Sequence, residues 1–223
     1  MRRILIAVAG LLASTSPALA ETIVIRAGSV LRDAASEPSG PATITVTDGK
    51  IISIVPGAPA APAGAREVDL STKTVVPGLI DLHVHLTSDP GTDYRNEAVE
   101  PDEWGVVVGA KNALLTLRAG FTTVRDAGSA QYTAFSLRRG TAEGLIPGPR
   151  IVAAGPIISI VGGHGDTTGF REDVHSVLDQ GYTCTGPVEC AEKVRKASRA
   201  GADVIKITST GGVLSQQGRG REG

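Results

Sequence analysis

The chain contains no block of like charge and no apolar run long enough to cross a bilayer, and it holds only two cysteines and four histidines in 223 residues. The first absence excludes the phosphate backbone of nucleic acid and an anionic membrane surface as partners, because both need a concentrated positive patch. The second makes a spanning anchor the weaker reading: the longest apolar stretch, Ile4 to Leu12, falls far short of the ~20 residues a membrane helix requires. Two cysteines are too few to build a metal cluster of their own. Cys184 and Cys190 stand six positions apart and suit either a disulfide, which an exported chain permits, or two inert thiols. Spacing alone does not choose between them.

What is present begins with a leader. Arg2 and Arg3 precede Ile4 to Leu12, and Ala18-Leu19-Ala20 supplies the small-x-small pattern that a signal peptidase pocket admits. Residues 1–20 therefore read as a signal peptide cut after Ala20. That places the mature protein outside the cell or in the periplasm, with no membrane attachment after cleavage. The paired arginines leave open which export route is used. Without this segment 20 basic residues face 23 acidic ones, a net −3 and an ordinary soluble surface.

Residues 21–73 read as part of a small β domain. Thr22 to Ile25, Thr43 to Thr47 and Lys50 to Val55 are β-branched and extended. Asp48-Gly49 between the last two is a two-residue hairpin turn in which glycine accepts positive φ. Pro56 to Gly64 is a Pro/Ala/Gly-rich loop. From residue 74 to 223 short apolar strands alternate with helical patterns. Strands are expected in Val75 to Leu86, Thr122 to Asp126, Arg150 to Ile160 and Asp203 to Thr208. Helices are expected over Glu103 to Ala119 (with Val107, Leu114 and Leu117 on one face), Ala130 to Gly140 and Glu189 to Ala200. Strict alternation argues for parallel βαβ units, in a doubly wound sheet or a (β/α)8 barrel. A closed barrel needs eight strands and about 250 residues, so four βα units amount to half of one.

Two features carry chemistry. His83-Val84-His85 ends the first of these strands, where residues i and i+2 share a face, so both imidazoles can converge on one point. Imidazole nitrogen is a zinc donor, and Asp81 on the same face can orient a ligand. Taken alone, the motif also fits two histidines at a strand end with no metal. The second feature is Lys206, set inside the apolar run Val204 to Thr208. A parallel sheet covered on both faces would desolvate it and lower its pKa. The neutral amine could then add CO2 to form a carbamate, an anionic donor able to bridge two metals. A salt-bridged or snorkelling lysine is the alternative.

Three ordered stretches, Val76 to His85, Gly120 to Gly128 and Gly201 to Ile207, with the Asp48-Gly49-Lys50-Ile51 hairpin, resemble the amidohydrolase superfamily, in particular its imidazolonepropionase-like and Xaa-Pro-dipeptidase-like members. The resemblance implies a partial TIM (β/α)8 barrel preceded by strands of a small β-sandwich. It implies two divalent metals, zinc being the expected ion, held by His83, His85 and a carboxylated Lys206. It implies hydrolysis of a carbon–nitrogen bond by metal-activated water, in a cyclic amide, an N-acyl amino acid or a dipeptide. His164, in Gly162-Gly163-His164-Gly165-Asp166, falls where a substrate-facing residue is found, although it equally suits a loop cap. His175 reads as surface, and Arg125-Asp126 as a structural pair. Family members add two later histidines and a catalytic aspartate. No residue after Lys206 is His or Asp, so no catalytic residue is identifiable here, and the alternative is a catalytically incomplete fragment of such an enzyme. An oligomer is left open.

Overall fold

The structure, a computed structural model, describes residues 21–91 and 99–212. The expected leader (1–20) and the end of the chain (213–223) lie outside the described residues. The chain divides into two compact units, Met1–Pro77 and Gly78–Gly223.

The first unit is one four-stranded sheet. It is built from β1 (Thr22–Val30), β2 (Ala42–Thr47), β3 (Lys50–Pro56) and β4 (Arg66–Val75), in the order β3-β2-β1-β4. The hairpin joining β2 to β3 turns at Asp48 and Gly49, whose φ values of 50° and 73° are the pair of positive angles this tight turn demands. β1 pairs antiparallel with β2 and parallel with β4, and the β1/β4 register shifts between Ala27 and Ser29. Gly28 sits at that shift because a Cβ there would stand 2.3 Å from the Ser71 carbonyl oxygen. Ala27, Val30, Ala42 and Ile44 form the buried face. β4 was not foreseen. Charged residues at Arg66, Glu67 and Asp69 interrupt its apolar pattern, and its partner lies more than 40 positions earlier.

The second unit runs β5 (Leu79–Val84), α1 (Trp104–Arg118), β6 (Phe121–Asp126), α2 (Thr133–Ala142), β7 (Arg150–Ala153), β8 (Ile158–Ile160), α3 (Glu172–Leu178), β9 (Thr183–Cys184), α4 (Gly186–Ala200) and β10 (Ile207–Thr208). Every strand pairing in it is parallel, in two sheets ordered β5-β6-β7 and β10-β8-β9. Leu86, Val124, Ala134, Phe135, Leu137 and Ile151 make the larger core, and Ile158, Tyr182, Cys184 and Ala197 the smaller. Cys184 and Cys190 form a disulfide that ties β9 to the first turns of α4. No helix among the described residues is long and apolar enough to cross a membrane.

Three expectations need correction. The strand expected over Arg150 to Ile160 is two strands, because Gly155 (φ 70°) and Pro156 break it. Proline has no N–H for a ladder, and a side chain at 155 would stand 2.4 Å from the Phe135 ring. The strand expected over Asp203 to Thr208 shrinks to Ile207–Thr208, so Lys206 immediately precedes it. In α1 the buried residues are Gly109 and Ala113, while Val107 is 54% exposed. Small residues let this helix approach Leu137 closely, since a Cβ at 109 would stand 2.8 Å from that side chain.

Candidate functional site

His83 lies on β5 and His85 one residue beyond it, and strand alternation puts both imidazoles on one side. Their ring centroids are 5.4 Å apart, and both residues are exposed. The Asp81 carboxylate accepts the His83 backbone N–H at 2.9 Å and so shapes the strand end. Lys206, 123 positions later, brings its Nζ to 3.4 Å from His83 Nε2. The nearby ammonium depresses the His83 pKa below the ordinary histidine value. Desolvation, His85 and Arg125 act the same way, and Asp81 opposes them.

Lys206 is only half-buried, which corrects the expectation of a fully desolvated lysine. Its neighbours Ile205 and Ile207 are exposed, and among the described residues β10 is the edge strand of its sheet.

His85 is fixed more firmly. Its Nδ1 lies 2.8 Å from the Gly128 carbonyl oxygen. A carbonyl only accepts, so Nδ1 carries the proton and Nε2 keeps a free lone pair. Gly128 follows β6, and a side chain there would meet Ile157 at 2.6 Å and the His85 ring at 3.1 Å. Asp126, at the end of β6, is fully buried. Its two oxygens accept the backbone N–H groups of Leu86 (2.9 Å) and Gly128 (3.2 Å). Burial pushes its pKa up, while those two bonds and His85 pull it down. The expected Arg125–Asp126 pair is not formed. The two side chains leave opposite faces of the strand, and Arg125 donates instead to the Leu82 carbonyl at 2.7 Å.

A cleft of about 490 Å³ opens beside His85, with Gly128, Ser129, Ile157, Asp166 and Tyr182 among its walls. His83, Lys206 and His164 are not among its lining residues. His164 is exposed on the loop after β8, which its backbone N–H fastens to the Thr210 carbonyl (2.9 Å). His175 is not simply a surface residue: its Nε2 lies 3.3 Å from Asp166 Oδ1, and Asp166 also accepts the Gly162 N–H at 2.7 Å. The pair thus braces the glycine loop around His164. Among the described residues no group of three or more His, Cys, Asp or Glu side chains is placed to hold a metal. The donors present are therefore two imidazole nitrogens beside a lysine, part of a metal coordination shell at most.

Residues 74–220 match the model of the amidohydrolase family. Among curated proteins, the ochratoxinase of Aspergillus niger is 32% identical over 160 residues, covering 62% of this chain and 32% of its own length. Among solved structures, a Xaa-Pro dipeptidase with methionine bound in its active site superposes with a TM-score of 0.76 at 33% identity. A prolidase complexed with N-methylphosphonate-L-proline gives 0.73 at 30%. Each comparison covers 87% of this chain and 48% of the other. The chain thus spans about a third of the curated relatives and about half of these solved chains.

Proposed function

The chain belongs to the amidohydrolase family, and on that premise we propose that it carries the N-terminal share of a divalent-metal hydrolase site, with His83, His85 and Lys206 as ligands. One observation carries the reading: side chains 123 positions apart converge, Lys206 Nζ lying 3.4 Å from His83 Nε2 with the His85 ring beside it. The supporting frame is the first half of a (β/α)8 barrel, in which β5, β6, β7 with β8, and β10 are successive parallel strands, preceded by strands of a small β-sandwich.

Held by these residues, a divalent ion would supply polarisation of the scissile carbonyl and a water of pKa near about 7, the nucleophile for the carbonyl carbon of a carbon–nitrogen bond. The residues prepare for this. His85 offers Nε2 because Gly128 holds its Nδ1 proton. Before Lys206 is carboxylated, its charge opposes protonation of His83. Half-buried Lys206 is accessible to CO2, and its neutral amine adds CO2 with loss of one proton, giving a carbamate in place of a competing cation. The substrate is a cyclic amide, an N-acyl amino acid or a dipeptide, and a cleft near 490 Å³ has the size for such small molecules. Export to an oxidising compartment agrees with the paired cysteines.

The incomplete ligand set among the described residues favours a second reading, in which these residues bind the ion but turn over no substrate without further ligands. One experiment addresses both. The chain is reconstituted with Zn2+ or Co2+, bound metal is counted, and hydrolysis of a dipeptide and N-acyl amino acid panel is followed. Stoichiometric metal that is lost on joint His83→Ala and His85→Ala substitution supports the site. Sub-stoichiometric metal in the unaltered chain overturns it. Bound metal without turnover selects the second reading.

A further inference from the structure

We propose that Asp126 is a positioning residue for the metal pair, a buried clamp that sets the tautomer and aim of His85 through the loop 126–128. The inference rests on the metal-site reading above and adds a residue that touches neither ion nor substrate.

The geometry forms a closed circuit. Asp126 Oδ2 accepts the N–H of Leu86, the residue directly after His85. Oδ1 accepts the N–H of Gly128, and the Gly128 carbonyl in turn holds His85 Nδ1. One carboxylate therefore holds both the backbone that carries the imidazole and the N–H of Gly128, the residue whose carbonyl orients it. The strands add a further tie: Ala127 donates to the Val84 carbonyl at 2.9 Å. With no exposure of the side chain, water cannot replace either bond, and an unmet buried N–H is costly.

Only a two-oxygen acceptor serves here. Asparagine has the same outline, but it offers one acceptor and one donor, so its amide would turn N–H toward N–H at Leu86 or at Gly128. Either way one corner of the circuit opens. If the Gly128 corner opens, its carbonyl swings and His85 loses the bond that keeps Nε2 free. A carbonyl or carboxylate behind a ligating histidine characteristically governs metal affinity by 10–100-fold. In this chain the effect of Asp126 is relayed one step further, through a peptide.

The test uses the whole chain uniformly labelled with 15N, without metal, at about pH 8, followed by Co2+ titration. In the unaltered protein His85 is expected as the Nδ1–H form. In Asp126→Asn it should become a mixture of both tautomers, with Co2+ binding weakened roughly 10–100-fold. Ile44→Ala, a truncation in the separate core cluster of the first unit, should lower thermal stability and leave the His85 tautomer unchanged. An Asp126→Asn protein with the unaltered tautomer and Co2+ affinity within about twofold overturns the proposal. Asp126→Ser, smaller and able to accept one N–H, is the second variant and should show the same loss. If neither variant folds, the unaltered chain decides: His85 as Nε2–H or as a mixture overturns the clamp, and Nδ1–H with downfield Leu86 and Gly128 amides supports it. Absence of any Co2+ binding in the unaltered chain rejects the metal-site reading alone, because the tautomer is read without metal.

Discussion

His83 and Lys206 set each other's chemistry. The ammonium 3.4 Å away is the leading reason that His83 titrates below an ordinary histidine, which has pKa near 6.5. Between that value and the lowered one, an unfolded chain takes up a proton that the folded chain refuses. His83 therefore contributes stability that is present above the ordinary value and lost as pH falls through the window. Lys206→Met removes the leading cause and should move the His83 midpoint upward, as read by NMR titration of the metal-free chain. An unchanged midpoint would show that Lys206 is not the cause. Carbamate formation at Lys206 reverses the sign, so adding bicarbonate to the unaltered chain should also raise the midpoint. The His83/His85 pair and Lys206 were visible in the sequence because each is a chemical residue in an apolar setting. Asp126 was seen but misassigned. Its partners are backbone N–H groups, which leave no residue-type signature, so its neighbour Arg125 looked like the natural counter-ion.

Among the elements, α4 shows best how local rules set the frame around Lys206. Pro187 lies in its first turn, and Gly201 ends it in the left-handed conformation at φ 104°, where glycine escapes the Cβ penalty. Gly201→Ala should cost about 1 kcal/mol, measurable by denaturant unfolding; no change would mean the cap is not limiting. The Cys184–Cys190 bond closes a short loop between β9 and this helix. Its removal by paired Cys→Ala substitution should cost about 2 kcal/mol on the chain-entropy scale, again by denaturant unfolding. The same midpoint in reduced and oxidised protein would contradict that. Sequence pattern located α4 to within three residues at its start, and it located the β2–β3 hairpin through Asp48-Gly49, because caps and two-residue turns are local. It failed where distant chain decides the outcome. β4 owes its place to a parallel partner more than 40 positions away. The short β10 is, among the described residues, the edge of its sheet, so its apolar run yields less ladder than its composition suggests.

Among the described residues of the second unit, the parallel strands are not covered on both faces as such strands ordinarily are. Ile80 and Leu82 on β5 are 61% and 58% exposed, and Ile207 on β10 is 63% exposed. Open apolar edges of this kind promote self-association. Substituting Leu82 and Ile207 together with lysine should reduce light scattering at a given concentration while preserving the helical circular dichroism. Equal scattering would show that these strands are not the adhesive surface. The parallel alternation of the second unit was legible as a class, since periodicity changes from two to about 3.6 along the chain. Its division into two three-stranded sheets was not, because Gly155 and Pro156 act through the Phe135 contact and a missing N–H. The central claim is that His83 and His85 serve one ion beside Lys206. The most direct measurement is a Zn2+ titration of the 15N-histidine chain. The account predicts that the Nε2 resonances of His83 and His85 shift together in a single saturable step while those of His164 and His175 stay in place. Shifts confined to His164 or His175, or no shift at either member of the pair, would contradict it.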